Sequence, residues 1–531
     1  MQKFDFLVIG GGVAGLTYAL EVASHGTVAV LFKRDLEDSS TSWAQGGVAA
    51  VATEKDSFEL HIQDTLVAGA GICSQDTVRM VVEEGPARIA DLIRFGAEFD
   101  RRDKGDYHLH QEGGHSRRRI YHAADASGRV IQRSLLNACL NHSNIKFITN
   151  AIAIDLITTH KLGMQRKEQN CVLGAYVMHA GRIDSYVAKR VLVATGGAGK
   201  VYLYTSNPDI ATGDGIAMCY RAGVAVANLE FFQFHPTCLY HPDARTFLIT
   251  EAMRGEGGTL RRINGERFMH KYHKDEELAP RDTVARAIDL ELKKHGEDYV
   301  LLDISHRGAV FVKEHFPTIY ERCLKYGFDI TTRPIPVVPA AHYCCGGVVT
   351  GLWGETSVRN LYAAGEVAHT GLHGANRLAS NSILEGLVFG YRAARRSLDG
   401  FKEGSLWQSV PGWDPGSAVD ADEQVVISHN WDEIRRFMWN YVGIVRSNKR
   451  LERAYNRNRN ILEEIRDYYW NFKLTPDLIE LRNLSLVADL VIRCAMARHE
   501  SRGLHYNIDF PLTRESWAKD TVLRPETSGA H

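Results

Sequence analysis

The sequence lacks the features that mark secreted and membrane-spanning proteins. It has nine cysteines in 531 residues and no C-x-x-C pair, so we expect no disulfide framework and a cytoplasmic, reducing location. No segment approaches ~18 uninterrupted apolar residues, so no membrane span is expected. The apolar run from Phe4 to Ile9 lacks a basic leader and a cleavage site, so we expect no signal peptide.

The charge of the chain is nearly balanced. Its 63 Lys and Arg residues and 64 Asp and Glu residues give a formal net charge of -1, which argues against a nucleic-acid partner. The basic run Arg117 to Arg119 is expected to be a solvated or locally paired loop. With 44% hydrophobic and 24% charged residues, the composition is that of a globular enzyme. The length predicts two to four domains, and no metal site is predicted.

The first 32 residues predict a βαβ unit. The run from Phe4 to Ile9 is β-branched and aromatic, which predicts a buried strand. Val13 to Ala23 has apolar residues at helical spacing, and Val28 to Phe32 is a second apolar run of strand length. The order strand, helix, strand over this length is typical of a dinucleotide-binding fold.

A glycine motif lies between the first strand and the helix and fits G-x-G-x-x-G. Gly10 permits the tight turn, Gly12 allows the backbone to approach a pyrophosphate, and Gly15 allows close packing of helix and strand. The start of the helix offers free N–H groups to phosphates. The predicted dinucleotide contacts in this turn are Gly10, Gly11, Gly12, Val13, Ala14 and Gly15.

The end of the second strand departs from the NAD pattern. An acidic residue is expected there to bind the adenosine ribose, but the chain has Lys33. Asp35 and Glu37 are close but out of register. This weakens an NAD assignment and leaves FAD open, because other segments can bind that cofactor.

The rest of the chain predicts an interrupted α/β fold. Strands at Arg190 to Ala194 and Asn360 to Ala364 both run into glycine, far apart in sequence. The stretch between them that is rich in His, Arg, Pro and Gly predicts an inserted α+β capping domain. After a proline- and glycine-rich linker, three amphipathic helices are predicted at Trp431 to Val445, Leu451 to Trp470 and Pro476 to Arg498. Thr475 and Pro476 are a typical N-cap and first helical residue.

We therefore predict a Rossmann-like dinucleotide-binding domain that is interrupted by a capping domain and followed by a C-terminal helical bundle domain. The expected boundaries are 1–228 and 344–415 for the two parts of the first domain, 229–343 for the capping domain and 416–531 for the helical domain.

Several further blocks carry a resemblance to a known family. They are Ser40-Thr41-Ser42-Trp43-Ala44-Gln45-Gly46-Gly47, Ala194-Thr195-Gly196-Gly197, Phe234-His235-Pro236-Thr237, Arg254-Gly255-Glu256-Gly257-Gly258, Tyr362-Ala363-Ala364-Gly365-Glu366 and His373-Gly374-Ala375-Asn376-Arg377. With them, the chain resembles the succinate dehydrogenase and fumarate reductase flavoprotein family from Phe4 to about Pro511. Within that family it is most similar to the members that oxidise L-aspartate.

The resemblance implies FAD as the cofactor. Family members with covalent FAD carry a histidine five residues before Gln-Gly-Gly, where this chain has Ser40, so we expect noncovalent FAD. Relatives also use a lysine at the strand end occupied by Lys33. The residues that the resemblance adds to the flavin site are Lys33, Ser40, Thr41, Ser42, Trp43, Ala44, Gln45, Gly46, Gly47, Asp214, Glu366, Ser382 and Ile383.

The resemblance also implies a dicarboxylate site. Burying a carboxylate requires cationic and hydrogen-bonding partners. The expected substrate-binding residues are Gln233, His235, Thr250, Glu251, His342 and Arg377. Arg377 suits bidentate carboxylate binding. The family implies that Arg281 is the catalytic proton shuttle, with Glu251 or another acid relaying the proton, although an ordinary arginine is a poor base.

Glu112 is the position that separates aspartate from succinate. Succinate-type relatives have phenylalanine before the Gly-Gly, whereas a carboxylate at Glu112 can pair with the substrate ammonium that succinate lacks. Cys345 stands where succinate-type relatives have methionine. The vicinal pair Cys344 and Cys345 is expected to be small buried packing, with a redox role as the alternative.

The expected reaction is oxidation of L-aspartate to iminoaspartate, with oxygen or fumarate as the electron acceptor. In the family, iminoaspartate feeds quinolinate synthase in NAD biosynthesis. Two alternatives stay open: a soluble fumarate reductase or succinate dehydrogenase flavoprotein subunit, and a flavin-bound subunit that acts only as a docking partner.

Overall fold

The computed structural model describes residues 1–102, 105–124, 126–164, 168–244, 247–402, 409–421, 423 and 425–525. It confirms the predicted α/β fold. The strands are β1 Gln2–Ile9, β2 Val28–Leu31, β3 Val48–Ala49, β4 Ile120–Tyr121, β5 Ile145–Ile148, β6 Ala151–Thr158, β7 Val172–His179, β8 Arg182–Val193, β9 Val226–Ala227, β10 Phe232–Leu239, β11 Thr259–Arg261, β12 Val300–Asp303, β13 Ile335–Cys344, β14 Gly347–Val349, β15 Leu361–Ala363, β16 Ala368–His369, β17 Val445–Arg446, β18 Tyr506–Asn507 and β19 Val522–Leu523.

The helices are distributed over the whole described chain. They are α1 Val13–Val22, α2 Ser40–Trp43, α3 Phe58–Ala68, α4 Gln75–Arg94, α5 Ser127–Leu140, α6 Asp214–Arg221, α7 Ala252–Gly255, α8 Arg281–His295, α9 Ala309–His315, α10 Pro317–Lys325, α11 Asn381–Leu398, α12 Val425–Val442, α13 Asn448–Asn471 and α14 Pro476–Ala497.

The main sheet has a parallel part built from distant segments. Strands β5, β2, β1 and β8 lie side by side in this order, and β15 pairs with the last residues of β8. The antiparallel strands β7 and β6 extend the sheet from the first half of β8. Because β1, β8 and β15 are parallel neighbours, their carboxyl ends meet at one edge, where such sheets bind ligands.

A second sheet lies in the predicted capping segment. Its strand order is β10-β13-β12-β11, all antiparallel, and β10 pairs with β13 through two register shifts. Helices α8, α9 and α10 fall between β11 and β13 in the chain. The domain boundaries themselves stay a prediction, since one continuous buried cluster runs from the main sheet through this segment into the C-terminal helices.

The C-terminal segment contains the three predicted helices. Helix α12 begins at Val425, six residues before the predicted start, because Ile427 and Asn430 are already buried in the same packing. Helix α14 begins as predicted: the Thr475 hydroxyl accepts a hydrogen bond from the Leu478 N–H at 3.2 Å, and Pro476 is the first helical residue.

Two further findings concern the whole described chain. All nine cysteines are free thiols, and Cys344 and Cys345 are both buried. Within the described ranges, none of the helices combines the length and the apolar character that crossing a membrane requires.

Candidate active site

The glycine turn after β1 has the geometry of a phosphate cradle. Gly10 has φ +112°, and a Cβ there would lie 2.2 Å from the Ala194 carbonyl oxygen. A Cβ on Gly15 would lie 2.0 Å from the Gly10 carbonyl oxygen. At Gly12, in contrast, the nearest atom to a Cβ is Thr41 Oγ1 at 3.4 Å, and α1 begins there without a side-chain cap. The residues therefore fit a pyrophosphate at an open helix N-terminus.

Three loops meet at the carboxyl edge of the parallel strands. Gly10 touches Ala194 after β8, and a Cβ on Gly197 would lie 2.2 Å from Glu366 Oε1 after β15. Glu366 accepts a hydrogen bond from the Cys344 N–H at 3.0 Å, and burial raises its pKa to about 7. The predicted cofactor segments at Gly10, Gly197 and Glu366, which lie far apart in the sequence, are thus brought together.

The segment from Ser40 to Gly47, which is predicted to bind the flavin, is partly helical. Ser40–Trp43 forms the one-turn helix α2, because the Ser39 hydroxyl accepts a hydrogen bond from the Ser42 N–H at 3.0 Å. Thr41 is buried, and its Oγ1 accepts a hydrogen bond from the Val13 N–H at 3.2 Å. The helix therefore places this segment directly against the glycine turn.

Lys33 lies in a buried ion-pair network. Its Nζ lies 2.8 Å from Asp214 Oδ2 and 2.6 Å from Glu480 Oε1. Burial lowers the pKa of Lys33, but these two carboxylates outweigh it and hold the pKa above its ordinary value. Asp214 Oδ1 also accepts a hydrogen bond from Asn483 Nδ2 at 2.9 Å. Two predicted cofactor residues are thus fixed by helix α14.

Arg377 is a buried cation without a carboxylate partner among the described residues. Its Nε and Nη2 both donate to Gln233 Oε1, at 3.1 and 2.9 Å, and its Nη1 donates to Ser382 Oγ at 3.0 Å. Its guanidinium carbon lies 4.8 Å from the centre of the Tyr343 ring. Burial lowers the pKa of Arg377. These contacts orient the guanidinium but leave its charge uncompensated, which favours an anionic ligand.

Two histidines lie on the neighbouring strands β10 and β13. The ring centres of His235 and His342 are 6.1 Å apart. Burial lowers the pKa of both well below the ordinary value, and the charge of Arg281 acts in the same direction on both. Nδ1 of His235 lies 3.2 Å from both the backbone nitrogen and the carbonyl oxygen of Thr237, so the contacts of this nitrogen are with the backbone of one residue. Nδ1 of His342 lies 2.7 Å from Ser206 Oγ.

Glu251 lies between two arginines. Its Oε2 accepts a short hydrogen bond from Nε of Arg281, the first residue of α8, and its Oε1 lies 3.6 Å from Arg254 Nη2. Arg254 is almost completely buried, and its Nε and Nη2 have no hydrogen-bond partner among the described residues. Glu251 thus balances the charges of both arginines, through a hydrogen-bonded ion pair with Arg281 and a longer ion pair with Arg254.

Glu112 lies between the cofactor and substrate residues. Its Oε2 accepts a hydrogen bond from Ser380 Oγ at 2.7 Å, and a Cβ on Gly46 would lie 3.1 Å from its Oε1. Ser380 precedes α11 and has φ +62°, an uncommon conformation for a serine. The carboxylate of Glu112 is near enough to Arg377 to act on its pKa in the direction opposite to burial.

Most of the predicted site residues are thus brought together. For three others, only the position in the fold and the burial bear on the prediction. Thr250 lies just before α7 and is half-buried, and Ile383 is buried in the first turn of α11. Trp43 is largely exposed.

The sequence prediction missed three residues of this site. Arg254 lies in the family motif Arg254-Gly255-Glu256-Gly257-Gly258, but the residue type alone does not predict that an arginine is buried beside Glu251. Ser206 and Ser380 hold His342 and Glu112 through single hydroxyl groups. Serines in loops carry no sequence signal for such contacts.

Two family models match the chain. One is described as "FAD binding domain" and matches residues 5–383, and the other as "Fumarate reductase flavoprotein C-term" and matches residues 431–531.

Curated relatives match along the whole chain. An L-aspartate oxidase of Pseudomonas aeruginosa is 56% identical over 99% of this chain and 99% of its own length. One of Vibrio cholerae is 53% identical, with the same coverage of both. A chloroplastic L-aspartate oxidase of Nicotiana tabacum is 50% identical over 99% of this chain and 84% of its own length.

Solved structures show the same fold. A quinol fumarate reductase chain of E. coli has a TM-score of 0.85 and 30% identity, covering 98% of this chain and 94% of that one. Sdh1 of Mycobacterium smegmatis in complex with UQ1 has a TM-score of 0.86 and 29% identity, covering 100% and 95%.

Two glycine variants test the phosphate cradle separately from folding. Gly15→Ala places a methyl group against backbone, so we expect a loss of about 1–3 kcal/mol in apoprotein stability. Gly12 has φ -80° and room for a methyl group, so Gly12→Ala should leave apoprotein melting unchanged while it weakens FAD binding at least about tenfold. Thermal melting and flavin fluorescence titration measure the two effects. Equal FAD affinity in Gly12→Ala and the unmodified protein would contradict the cradle.

Proposed function

Because this chain belongs to the succinate dehydrogenase and fumarate reductase flavoprotein family, and within it to the L-aspartate oxidases, we propose that it oxidises L-aspartate to iminoaspartate. FAD, which the glycine turn at Gly10 to Gly15 and the loops at Lys33 and Glu366 would hold, would supply a hydride acceptor for the substrate Cα and a carrier for the electrons that oxygen or fumarate takes up. The observation that carries the proposal is the buried, uncompensated charge of Arg377 beside His235, His342 and Arg281.

The first role of these residues is to bind the two carboxylates of the substrate. Arg377 is held by Gln233 and Ser382 in one orientation, which reduces the entropy lost when a carboxylate binds. His235 and His342 are neutral donors because burial and neighbouring cations disfavour a further charge. Thr250 adds a hydroxyl group at the edge of this set. Because these side chains lie in a buried site of low dielectric constant, their interactions with the substrate carboxylates are stronger than they would be in water.

The second role is proton transfer, which we assign to Arg281. A free arginine is a poor base. The short contact with Glu251 supports the role, because a carboxylate that shares the guanidinium proton lets Arg281 exchange one with the reacting substrate. Arg254, on the other side of Glu251, extends the path away from the substrate.

The third role is the choice of an amino dicarboxylate, which we assign to Glu112. Its carboxylate lies beside the flavin segment at Gly46 and within the field of Arg377, and only Ser380 is bonded to it in the described contacts. An ammonium group on the substrate Cα can pair with it, whereas succinate offers no such partner.

The remaining elements of the proposal concern the cofactor and its surroundings. Ser40 stands where covalent relatives carry histidine, and a serine cannot form the histidyl–flavin bond, so the FAD is dissociable. We also propose that the residue ranges 1–228 with 344–415, 229–343 and 416–531 act as cofactor, capping and helical domains. The location is the cytoplasm, and the iminoaspartate passes to quinolinate synthase.

Anaerobic flavin reduction tests the reaction. The protein is reconstituted with FAD and mixed in turn with L-aspartate, D-aspartate and succinate, and bleaching of the flavin absorbance is followed. We expect rapid bleaching with L-aspartate only, because the other two cannot place both an ammonium group at Glu112 and a Cα hydrogen toward the flavin. Succinate bleaching at a similar rate would reject the proposed substrate.

A Glu112→Gln variant tests the choice of substrate. A charge-assisted hydrogen bond of about 1.5–3 kcal/mol is lost with aspartate alone, so kcat/KM for aspartate oxidation should fall about 10- to 100-fold. Fumarate reduction by the same preparation should change little, because fumarate has no ammonium group. Glu54→Gln, at an exposed position, is the matched control. Equal losses on both substrates would contradict the role of Glu112.

An Arg281→Leu variant tests the proton path. We expect turnover to fall by at least about 100-fold while FAD binding is retained, since the side-chain hydrogen bond of Arg281 among the described residues is with Glu251, which is not a predicted flavin residue. Arg286→Leu removes an arginine of the same helix that is paired with Asp282 and serves as the control. Stopped-flow flavin reduction measures the step directly, and normal turnover in Arg281→Leu would reject the assignment.

A further inference from the structure

A group of three histidines lies outside the substrate site. His108, His110 and His122 each offer a ring nitrogen, and these nitrogens all lie within 4.8 Å of one another. The ring centres of His110 and His122 are 3.4 Å apart, and that of His108 lies 5.1 and 5.2 Å from the other two. The reaction proposed above uses none of the three.

The backbone explains why the three rings converge. His110 pairs with Ile120 in an antiparallel bridge, with N–H···O distances of 2.9 and 3.1 Å in the two directions. His108 and His122 each lie two residues from this bridge, so their side chains share its face. Asp100 joins the same arrangement, because its N–H donates to the His122 carbonyl and its own carbonyl accepts from the His108 N–H.

His122 provides the second observation. Its side chain is 5% exposed, and Nδ1 lies beside the Asp100 carboxylate, yet neither ring nitrogen makes a well-directed hydrogen bond within the ranges that the structure describes. A buried imidazole whose nitrogens lack such bonds costs free energy of desolvation. A ligand for this ring therefore fits the site better than the protein alone does.

Asp100 is placed as the supporting carboxylate of a metal-binding histidine. Its Oδ2 lies 3.0 Å from Nδ1 of His122 and is fixed by a hydrogen bond from the Ala124 N–H at 2.8 Å. Metal-binding histidines commonly direct their second nitrogen to a carboxylate, which sets the tautomer and the ring orientation. This leaves Nε2 of His122 for the ion.

We propose that His108, His110 and His122 bind a divalent transition-metal ion, with Zn²⁺ as the preferred ion and water as the fourth ligand. Three imidazoles suit Zn²⁺, which takes nitrogen ligands at about 2.0–2.1 Å in tetrahedral geometry. The rings of His110 and His122 are stacked, so His110, which is exposed, would have to turn out of the stack to bind the ion, and His108, which is half-buried, would turn toward it. The ion would link the segment of His108 and His110, which precedes Glu112, to the segment of His122, which precedes α5.

The test is metal binding by the FAD-loaded protein. After treatment with chelator and its removal, titration with Zn²⁺ against a chromophoric chelator should give one tight site per chain. His110→Ala should weaken this site at least about tenfold, and Asp100→Asn about 10- to 100-fold. Replacing Zn²⁺ with Co²⁺ should give the strong visible bands of tetrahedral coordination. Thermal melting should rise with Zn²⁺ in the unmodified protein and not in His110→Ala.

The controls separate this site from adventitious binding. His179→Ala removes an exposed histidine on β7, away from the three, and should bind Zn²⁺ like the unmodified protein. His110 is exposed, so its variant folds even if changes at buried His122 do not; circular dichroism and bound flavin verify this. Equal Zn²⁺ affinity in His110→Ala and the unmodified protein would overturn the site, as would equal weakening in His179→Ala or octahedral Co²⁺ bands.

Discussion

The contact between Gln233 and Arg377 is the constraint around which the active site is arranged. A guanidinium that is taken out of water needs either a carboxylate or a set of neutral acceptors. Here one amide oxygen accepts hydrogen bonds from two of its N–H groups and a serine hydroxyl accepts from a third. The guanidinium is therefore oriented, but its charge is not neutralised. A carboxylate in place of Gln233 would neutralise the charge of Arg377 within the protein. Because Gln233 is neutral, that charge remains available to a substrate carboxylate.

The residues around Arg377 leave the centre of the site cationic. His235 and His342 stay neutral because they are buried beside cations, so they add donors without adding charge. Glu251 balances Arg281 and Arg254, and Glu112 is an acid beside Gly46 that acts on Arg377. The result is a site with a cationic centre and a carboxylate at one margin. That asymmetry matches an amino dicarboxylate better than a symmetric diacid.

The sequence predicted local features well because their physics is local. The glycine turn after β1 requires φ +112° at Gly10 and close packing at Gly15, and the cap at Thr475 needs only its own helix. The substrate residues were located through resemblance, since no periodic pattern distinguishes a buried Arg377 from a surface arginine. Neither source predicted that Glu480 pairs with Lys33, because that contact depends on how α14 packs. The helical turn at Ser40 was not predicted because four residues are too few to show a periodic pattern.

The link from Lys33 to Glu480 has a consequence for synthesis of the chain. Lys33 is made near the start and Glu480 near the end, and β15 joins the sheet beside β8 only after the whole capping segment has emerged. The nascent N-terminal part therefore carries a cation that lacks one of its two carboxylate partners, and it has an open sheet edge at β8. Such intermediates expose aggregation-prone surface. Completion of the cofactor domain therefore waits for segments made long after its first strands, and chaperone demand should be greatest in the interval before α14 docks.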